Sequence, residues 1–499
     1  NGESPTADPL FREPSGYWSA DTKAGPGDLY WYVITNGANI LEKNDPWARE
    51  LTHSKGASLV PDPNFDWEGD AFRLAPWNEL VIYEMHVGTF NDAPGGPVGQ
   101  FASIEKRLGY LRDLGVNAIE LMPIMEFMGD LSWGYNVAQP YAVETSYGGP
   151  KGLKHLVKQA HRHGIGVILD LVFNHFGPQD LDLWQFDGWS QDGHGGIFFY
   201  NDERRHTPWG ETRPDFGRPE VRDYLRENAL MWLEEYHLDG LRFDQTTCIR
   251  REQGYCQGSC CGRDIPDGWR MLQELTDTIR HFHPGKITIA EDLSRDPWLT
   301  HPTGTGGAGL GAQWSDEFVD NVRETLISTD DPMRDLRRIE EAIYQRDHAD
   351  AFSRVIYTES HDEVANGHSR LPAEIDRTNA ASWFARKRST LGAALVFTAP
   401  GIPMIFQGQE LLEDEYFRDT DPIDWSKLSK FAGIHRMYRD LARLRRNWNN
   451  QTRGLRGQHV SVHHRNDDAK VLAMHRWGQG GPGDDVVVVL NFSNQSFPS

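Results

Sequence analysis

Four short stretches of this 499-residue chain set acid, base and cation side chains at the ends of apolar runs. Asp170 closes one run and is followed by Asn174 and His175; Arg242 and Asp244 close a second. Glu291 with Asp292 closes a third, and His361 with Asp362 a fourth. Carboxyl groups converging from separate runs suit cleavage of a glycosidic bond, where one acid protonates the leaving oxygen while a carboxylate attacks the anomeric carbon. In a retaining reaction the two stand about 5–5.5 Å apart, and the acid later works as base. Arg242 precedes Asp244 by two residues, so a strand turns both to one face, where the permanent charge would hold the aspartate ionised. A glutamate amid other carboxylates has the raised pKa that a general acid needs. His175 and His361 are expected to donate hydrogen bonds to sugar hydroxyls.

The runs that carry these residues alternate with amphipathic stretches. Strands are expected at 81–87, 118–124, 167–172, 238–244, 287–292, 313–316, 355–362 and 402–407. The clearest helices fall at 101–114, 151–163, 221–236, 269–282, 334–344, 382–397 and 434–445. Strand then helix, repeated about eight times, argues for an α/β fold of the (β/α)8 barrel type, with its site at the C-terminal strand ends. No glycine-rich phosphate loop follows the first strand, so a doubly wound nucleotide-binding sheet lacks support. The barrel is expected over 78–448. A β-rich, sandwich-like module over 1–77 precedes it, and a small all-β domain over 449–499 follows, both expected to be incomplete. The glycine-rich loop 304–311 is expected to be mobile, and Asp316 to be a hydrogen-bonding partner and not a catalyst. His86 is expected to brace the barrel floor or first strand, and the 443–446 basic run to be a solvated helix face.

Charge narrows the partner. Lysines and arginines number 51 against 73 aspartates and glutamates, a net charge of −22 that repels nucleic acid and suits a neutral ligand. Seventeen tryptophans offer flat faces for sugar rings, although for any single one a core position is the default. No run approaches the roughly 18–20 apolar residues of a membrane span, and Asn1-Gly2-Glu3-Ser4-Pro5 lacks the features of a signal peptide. Cys248, Cys256, Cys260 and Cys261 form one cluster, whose adjacent pair suits tetrahedral zinc poorly; reduced thiols or local disulfides are the expectation.

Asp170-Leu-Val-Phe-Asn174-His175, Gly240-Leu-Arg242-Phe-Asp244, Ile289-Ala-Glu291-Asp and Glu359-Ser-His361-Asp362 resemble, in order and spacing, the four signature regions of glycoside hydrolase family 13, the α-amylase family. The resemblance covers residues 80–450. It implies Asp244 as nucleophile, Glu291 as acid/base and Asp362 as transition-state stabiliser, with Asp170, Arg242, His175 and His361 around the sugar. Trp133-Gly134-Tyr135-Asn136 is similar to the family segment whose tyrosine stacks under the sugar, which assigns that role to Tyr135. Segment 1–77, with Lys43-Asn-Asp-Pro-Trp47, resembles the end of the starch-binding module that precedes branching and debranching enzymes.

Within the family, Tyr83-Glu-Met-His86-Val-Gly88, Ile289-Ala-Glu291-Asp-Leu-Ser294 and Tyr357-Thr-Glu-Ser-His361-Asp362-Glu363 look like glycogen branching enzymes. Asn174-His175-Phe176-Gly177-Pro178 is closer to the trehalose-releasing maltooligosyl hydrolases, and Gln407-Gly-Gln-Glu410 departs from the branching pattern. Gln245-Thr246-Thr247 stand where many α-amylases carry a Lys-His pair, whose histidine helps build a calcium site. Calcium wants six to eight oxygen ligands and only Asn174 can be named, so no cofactor is expected. The resemblance thus implies a retaining enzyme of α-1,4-glucan (starch, glycogen or amylose) that transfers chains to a 6-hydroxyl. A hydrolytic, maltooligosaccharide-forming amylase is the alternative, and a non-catalytic glucan binder is disfavoured because all three carboxylates are present. A branching enzyme would be cytoplasmic and a hydrolase secreted; oligomeric state is left open.

Overall fold

The computed structural model describes residues 7–14, 16–252, 262–346 and 350–497. Its centre is a closed barrel of parallel strands in chain order. These are β1 (Ile82–Met85), β2 (Ala118–Leu121), β3 (Gly166–Leu171), β4 (Gly240–Phe243), β5 (Ile287–Ala290), β6 (Ala312–Trp314), β7 (Arg354–Ile356) and β8 (Ile402–Phe406). The ring closes where Met404, Ile405 and Phe406 of β8 pair with Ile82, Tyr83 and Glu84 of β1.

The pleat explains how one sequence builds both core and site. Ile82, Ala118, Ile168, Ile289 and Ala312 form one buried apolar cluster, and residues two further on belong to the same strand face. Those next residues are Glu84, Glu120, Asp170, Glu291 and Trp314, with Arg242 at the matching level of β4. An apolar floor therefore gives way to a polar mouth within one pleat repeat. The intervening residues, such as Tyr83, Ile119, Leu169, Leu241 and Ala290, join the core that packs under the helices.

Helices return the chain after most strands, among them Gly149–Arg162, Pro219–Glu234, Pro266–Phe282, Asp316–Ile327, Trp383–Thr398 and Ala432–Arg445. Pro219 and Pro266 open their helices, where a missing N–H costs nothing, and Ser382 Oγ caps the helix Trp383–Thr398 by accepting from the N–H of Ala385 at 3.2 Å. Between β5 and β6 the described residues hold short 3-10 turns, Pro297–Leu299 and Thr303–Thr305, in place of an α-helix. Among the described residues no helix is long and apolar enough to cross a membrane.

The N-terminal segment contributes short antiparallel pairs, the longest joining Tyr32–Asn36 to Asn39–Lys43. It is fastened to the barrel by Trp47, edge-on to Tyr224 at 5.1 Å, and by the Arg49–Glu235 ion pair at 2.8 Å. The C-terminal sheet (His459–Asn466, Val471–Trp477, Val486–Asn491) is antiparallel and buries Leu472, Met474 and Leu490 against the helices Leu336–Tyr344 and Trp383–Thr398.

Several expectations change. The 355–362 run is strand only to Ile356, because Thr358 and Glu359 turn away to bond Gln409 and Arg370. His361 and Asp362 therefore ride on a loop. Asp316 opens a helix and does not end a strand. The loop 304–311 is pinned: Ala308 N–H donates to Trp298 O at 2.9 Å, and Thr276 and Gln273 bond the carbonyls of Ala308 and Gly307. A Cβ on Gly307 would lie 2.0 Å from His301 O, so glycine there allows close packing. The basic run 443–446 is no solvated face, since Arg445 is fully buried and donates to Gly401 O at 2.6 Å. His86 follows β1 at the mouth, not the floor, and bonds Thr89 Oγ1 at 3.0 Å and Ser132 O at 2.9 Å. Of the cysteines, Cys248 is buried and free, while Cys256, Cys260 and Cys261 lie outside the described residues.

Candidate active site

The polar mouth gathers around Arg242, which is wholly buried on β4. Its Nη1 donates to both oxygens of Asp170 (2.7 and 2.6 Å) and to Asp244 Oδ1 at 3.0 Å. Its Nη2 stands 2.9 Å from Glu291 Oε2, an ion pair that lacks the angles of a hydrogen bond. The nearest partner of the guanidinium is thus Asp170, and Asp244 shares it. Asp244 is the first residue past β4 and Glu291 the first past β5, so adjacent strands deliver both carboxyls to one cation. Oxygens held by neighbouring nitrogens of a single guanidinium suit the short spacing of a retaining pair, about 5–5.5 Å.

Two contacts fix these carboxyls further. Asn174 Nδ2 donates to Asp244 Oδ2 at 2.7 Å and to the Asp244 carbonyl at 2.8 Å. The backbone N–H of Gln245, in the left-handed region at φ 40°, donates to Glu291 Oε2 at 2.9 Å. Burial pushes the Glu291 carboxyl up to about 8, with the Asp244 and Asp362 charges adding to it and Arg242 opposing. Burial also raises Asp244, while Arg242 and the Asn174 hydrogen bond pull it back.

The other sequence-derived residues fall on the same mouth. Tyr135 donates through its hydroxyl to Asp170 Oδ2 at 2.7 Å and stacks on His361 with centroids 5.1 Å apart. His361 Nδ1 meets Glu84 Oε1 at 2.5 Å, and its Nε2 lies 3.4 Å from Asp362 Oδ2. Burial disfavours the His361 imidazolium, but the Asp362 and Glu84 charges outweigh it and raise the pKa to about 10. Asp362 is half-open to solvent and accepts from Asn366 Nδ2 at 3.0 Å. His175 bonds the Asn174 side chain through Nδ1, and burial lowers its pKa to about 3. Its buried Nε2 has no partner among the described residues, which leaves a neutral imidazole with one free polar atom.

Sequence reasoning missed Glu84, Glu120 and Trp314. Glu84 and Glu120 are paired across β1 and β2, and both are buried. Trp314 lies under the Arg242 guanidinium at 4.3 Å, a cation–π contact. A single acid inside each apolar strand, at the position two residues past a floor residue, is the signal that could have found the two glutamates. Asn174 donates to Asp244 through Nδ2 and meets His175 Nδ1 through Oδ1. Among the described residues no group of three or more His, Cys, Asp or Glu side chains is arranged to hold a metal.

The family of alpha-amylase catalytic domains matches residues 84–187 and 211–466, leaving out 188–210 in the loop between β3 and the helix Pro219–Glu234. The chain is 31% identical over 445 residues to the malto-oligosyltrehalose trehalohydrolase of Saccharolobus solfataricus, covering 83% of this chain and 72% of that protein. It is 29% identical over 507 residues to the 1,4-alpha-glucan branching enzyme of Oceanobacillus iheyensis, covering 94% and 75%. It is 33% identical over 438 residues to that of Corynebacterium jeikeium, covering 85% of this chain and 60% of that protein. A pullulanase from Anoxybacillus sp. LM18-11 shares the fold, with a TM-score of 0.77 over 97% of this chain and 76% of that one at 21% identity. With the family matched across most of the barrel and its mouth assembled from the strand ends, the chain belongs to the α-amylase family, glycoside hydrolase family 13, as an α-glucan-active glycosidase or transglycosidase.

Proposed function

We propose that this enzyme cuts α-1,4-linked glucan with retention and passes the severed chain to a sugar 6-hydroxyl, making branches. The observation that carries the retaining chemistry is the single Arg242 guanidinium touching both Asp244 and Glu291, with Glu291 protonated up to about pH 8. Glu291 gives its proton to the glycosidic oxygen as Asp244 attacks the anomeric carbon. The carbon–oxygen bond breaks, the leaving chain departs as an alcohol and a glycosyl ester forms on Asp244. Glu291, now a carboxylate, removes the proton of the incoming hydroxyl as its oxygen displaces Asp244. Tyr135 supports the sugar ring, His175 Nε2 takes a sugar hydroxyl, and Asp362 faces the positive charge that develops at the ring.

Transfer is favoured over hydrolysis by the branching-enzyme relatives, that of Oceanobacillus iheyensis aligning along 94% of the chain. The second reading has water as the acceptor, and the trehalohydrolase relative favours it. Incubation with amylose separates them. Loss of iodine colour with few new reducing ends, and ends released only by a debranching enzyme, is the expected result. Colour and reducing ends changing in step would overturn branching in favour of hydrolysis.

A further inference from the structure

Asp362 differs from the other carboxyls at the mouth. Asp170, Asp244 and Glu291 keep 10% or less of their side chains open and lie against Arg242. Asp362 stands on the loop past β7 with 45% of its side chain open, and its Oδ2 lies 3.4 Å from His361 Nε2. Among the described residues one hydrogen bond reaches its carboxylate, from Asn366 Nδ2 to Oδ1 at 3.0 Å.

The chain from 362 to 366 is shaped to make that bond. Ala365 N–H closes a turn on Asp362 O at 3.2 Å, and Phe417 N–H donates to Val364 O at 3.0 Å. Buried Val364 roots the turn in an apolar cluster with Met122, Phe406 and Phe417. Asn366 then enters the left-handed region at φ 52°, which asparagine tolerates better than most side chains. That step returns its amide to the residue four positions earlier, although Asn366 itself is exposed. The bond therefore holds Oδ1 from the solvent side and leaves Oδ2 turned toward His361.

We propose that Asn366 is a positioning residue for the reaction, a clamp that keeps the half-open Asp362 carboxylate aimed at the sugar ring. The inference rests on the reading above of Asp362 as the carboxylate that faces the developing ring charge. A carboxylate set in place beforehand needs no reorganisation when that charge appears. Released, it would rotate into water and its field at its neighbours would weaken. Burial leads in raising the Glu291 pKa and Arg242 opposes it, but the Asp362 charge is also among the causes. Loss of the clamp therefore lowers that pKa.

The test reads turnover of amylose in four variants. N366G removes the donor without straining a left-handed position. It should lower kcat about three- to tenfold with KM unchanged, as for one hydrogen bond felt in the transition state. Its alkaline limb in kcat/KM should move to lower pH. N366H tolerates the left-handed region and carries a ring nitrogen at the reach of the asparagine amide, so it should recover most of the loss. D362N should lose about 10²–10³-fold, the scale of one electrostatic stabiliser. Adding N366G to D362N should cost less than about twofold more, because the clamp then has no carboxylate to aim. Wild-type kcat and an unmoved limb in N366G, or a full N366G loss in the D362N background, would overturn the clamp. Near-wild-type turnover in D362N would overturn instead the role given to Asp362.

Discussion

Trp209 lies face to face with His175, ring centroids 4.7 Å apart and planes 18° apart, while 39% of its own surface stays open. One face of the indole keeps water from the imidazole and the other is presented to solvent beside the mouth. The tryptophan belongs to the stretch 188–210 that the family match leaves out.

Replacing Trp209 by alanine should therefore act in two ways. Loss of an aromatic surface worth about 0.5–1.5 kcal/mol predicts a fall in kcat/KM on amylose of about two- to twelvefold. Exposure of His175 should move its pKa from about 3 toward the ordinary value near 6.5, so a new acid limb should appear between pH 5 and 7. A pH–rate profile of W209A against W209F checks both; a profile unchanged in shape would mean that the indole does not shield the imidazole.

Glu291 links catalysis to stability. Its raised pKa predicts that kcat/KM falls on the alkaline side with a midpoint near 8. Stability from the protonated buried carboxyl is complete below the unfolded value near 4.3 and is lost as pH rises through about 8. E291Q, uncharged throughout, should lose about 10²–10⁴-fold in glucan turnover yet melt higher than wild type at pH 8.5 and no higher at pH 4. Calorimetry at the two pH values decides the second half.

Arg242 faces Asp170 and Asp244 and touches Glu291, so its removal strands buried acids. R242M should cost about 3–5 kcal/mol in urea unfolding near pH 7, and less at pH 4, where the acids take up protons. Because Arg242 lowers the Glu291 pKa, any residual activity in R242K, whose ammonium cannot fork, should show its alkaline limb at higher pH than wild type. A limb shifted to lower pH would contradict the electrostatic account.

A second pH-dependent contact fastens the segment before β1 to the base of the barrel. His161 holds Asp70 Oδ2 at 2.7 Å through Nδ1 and Asp239 Oδ2 at 2.9 Å through Nε2, so both nitrogens donate and the ring is an imidazolium. Burial opposes that charge, but the two carboxylates outweigh it and raise the pKa. The stability gained is complete below the unfolded value near 6.5 and is lost as pH rises through the raised folded value. H161Q should lower stability by about 1.5–3 kcal/mol at pH 6 and by less at pH 9, read from paired denaturant titrations.

Much of this was legible in residues whose neighbours are local. The catalytic-type residues end apolar runs, and the runs fixed the barrel order from β1 to β8. The boundaries were less legible at β7, where 355–362 reads as one apolar-to-polar strand. Its end is set by Glu359 turning to Arg370 and Leu371, partners contributed by the start of the short helix Leu371–Ile375. The burial of Arg445 was hidden for the same reason: its acceptor, Gly401, lies 44 positions away, and nothing in a basic run announces a carbonyl in wait. Trp314 looked like any core tryptophan, since the cation it underlies comes from another strand.

The bond between His361 and Glu84 joins positions 277 residues apart, and β8 reaches back to β1 across a similar stretch. Contacts of such sequence separation form late, because a long loop must be closed before they return anything. The catalytic centre is thus expected to be completed only at ring closure: an incomplete arc of strands would hold Arg242, Asp244 and Glu291 without the histidine clasp. Recovery of activity after dilution from denaturant should lag behind recovery of helical signal, and turnover would serve as the clock for ring closure.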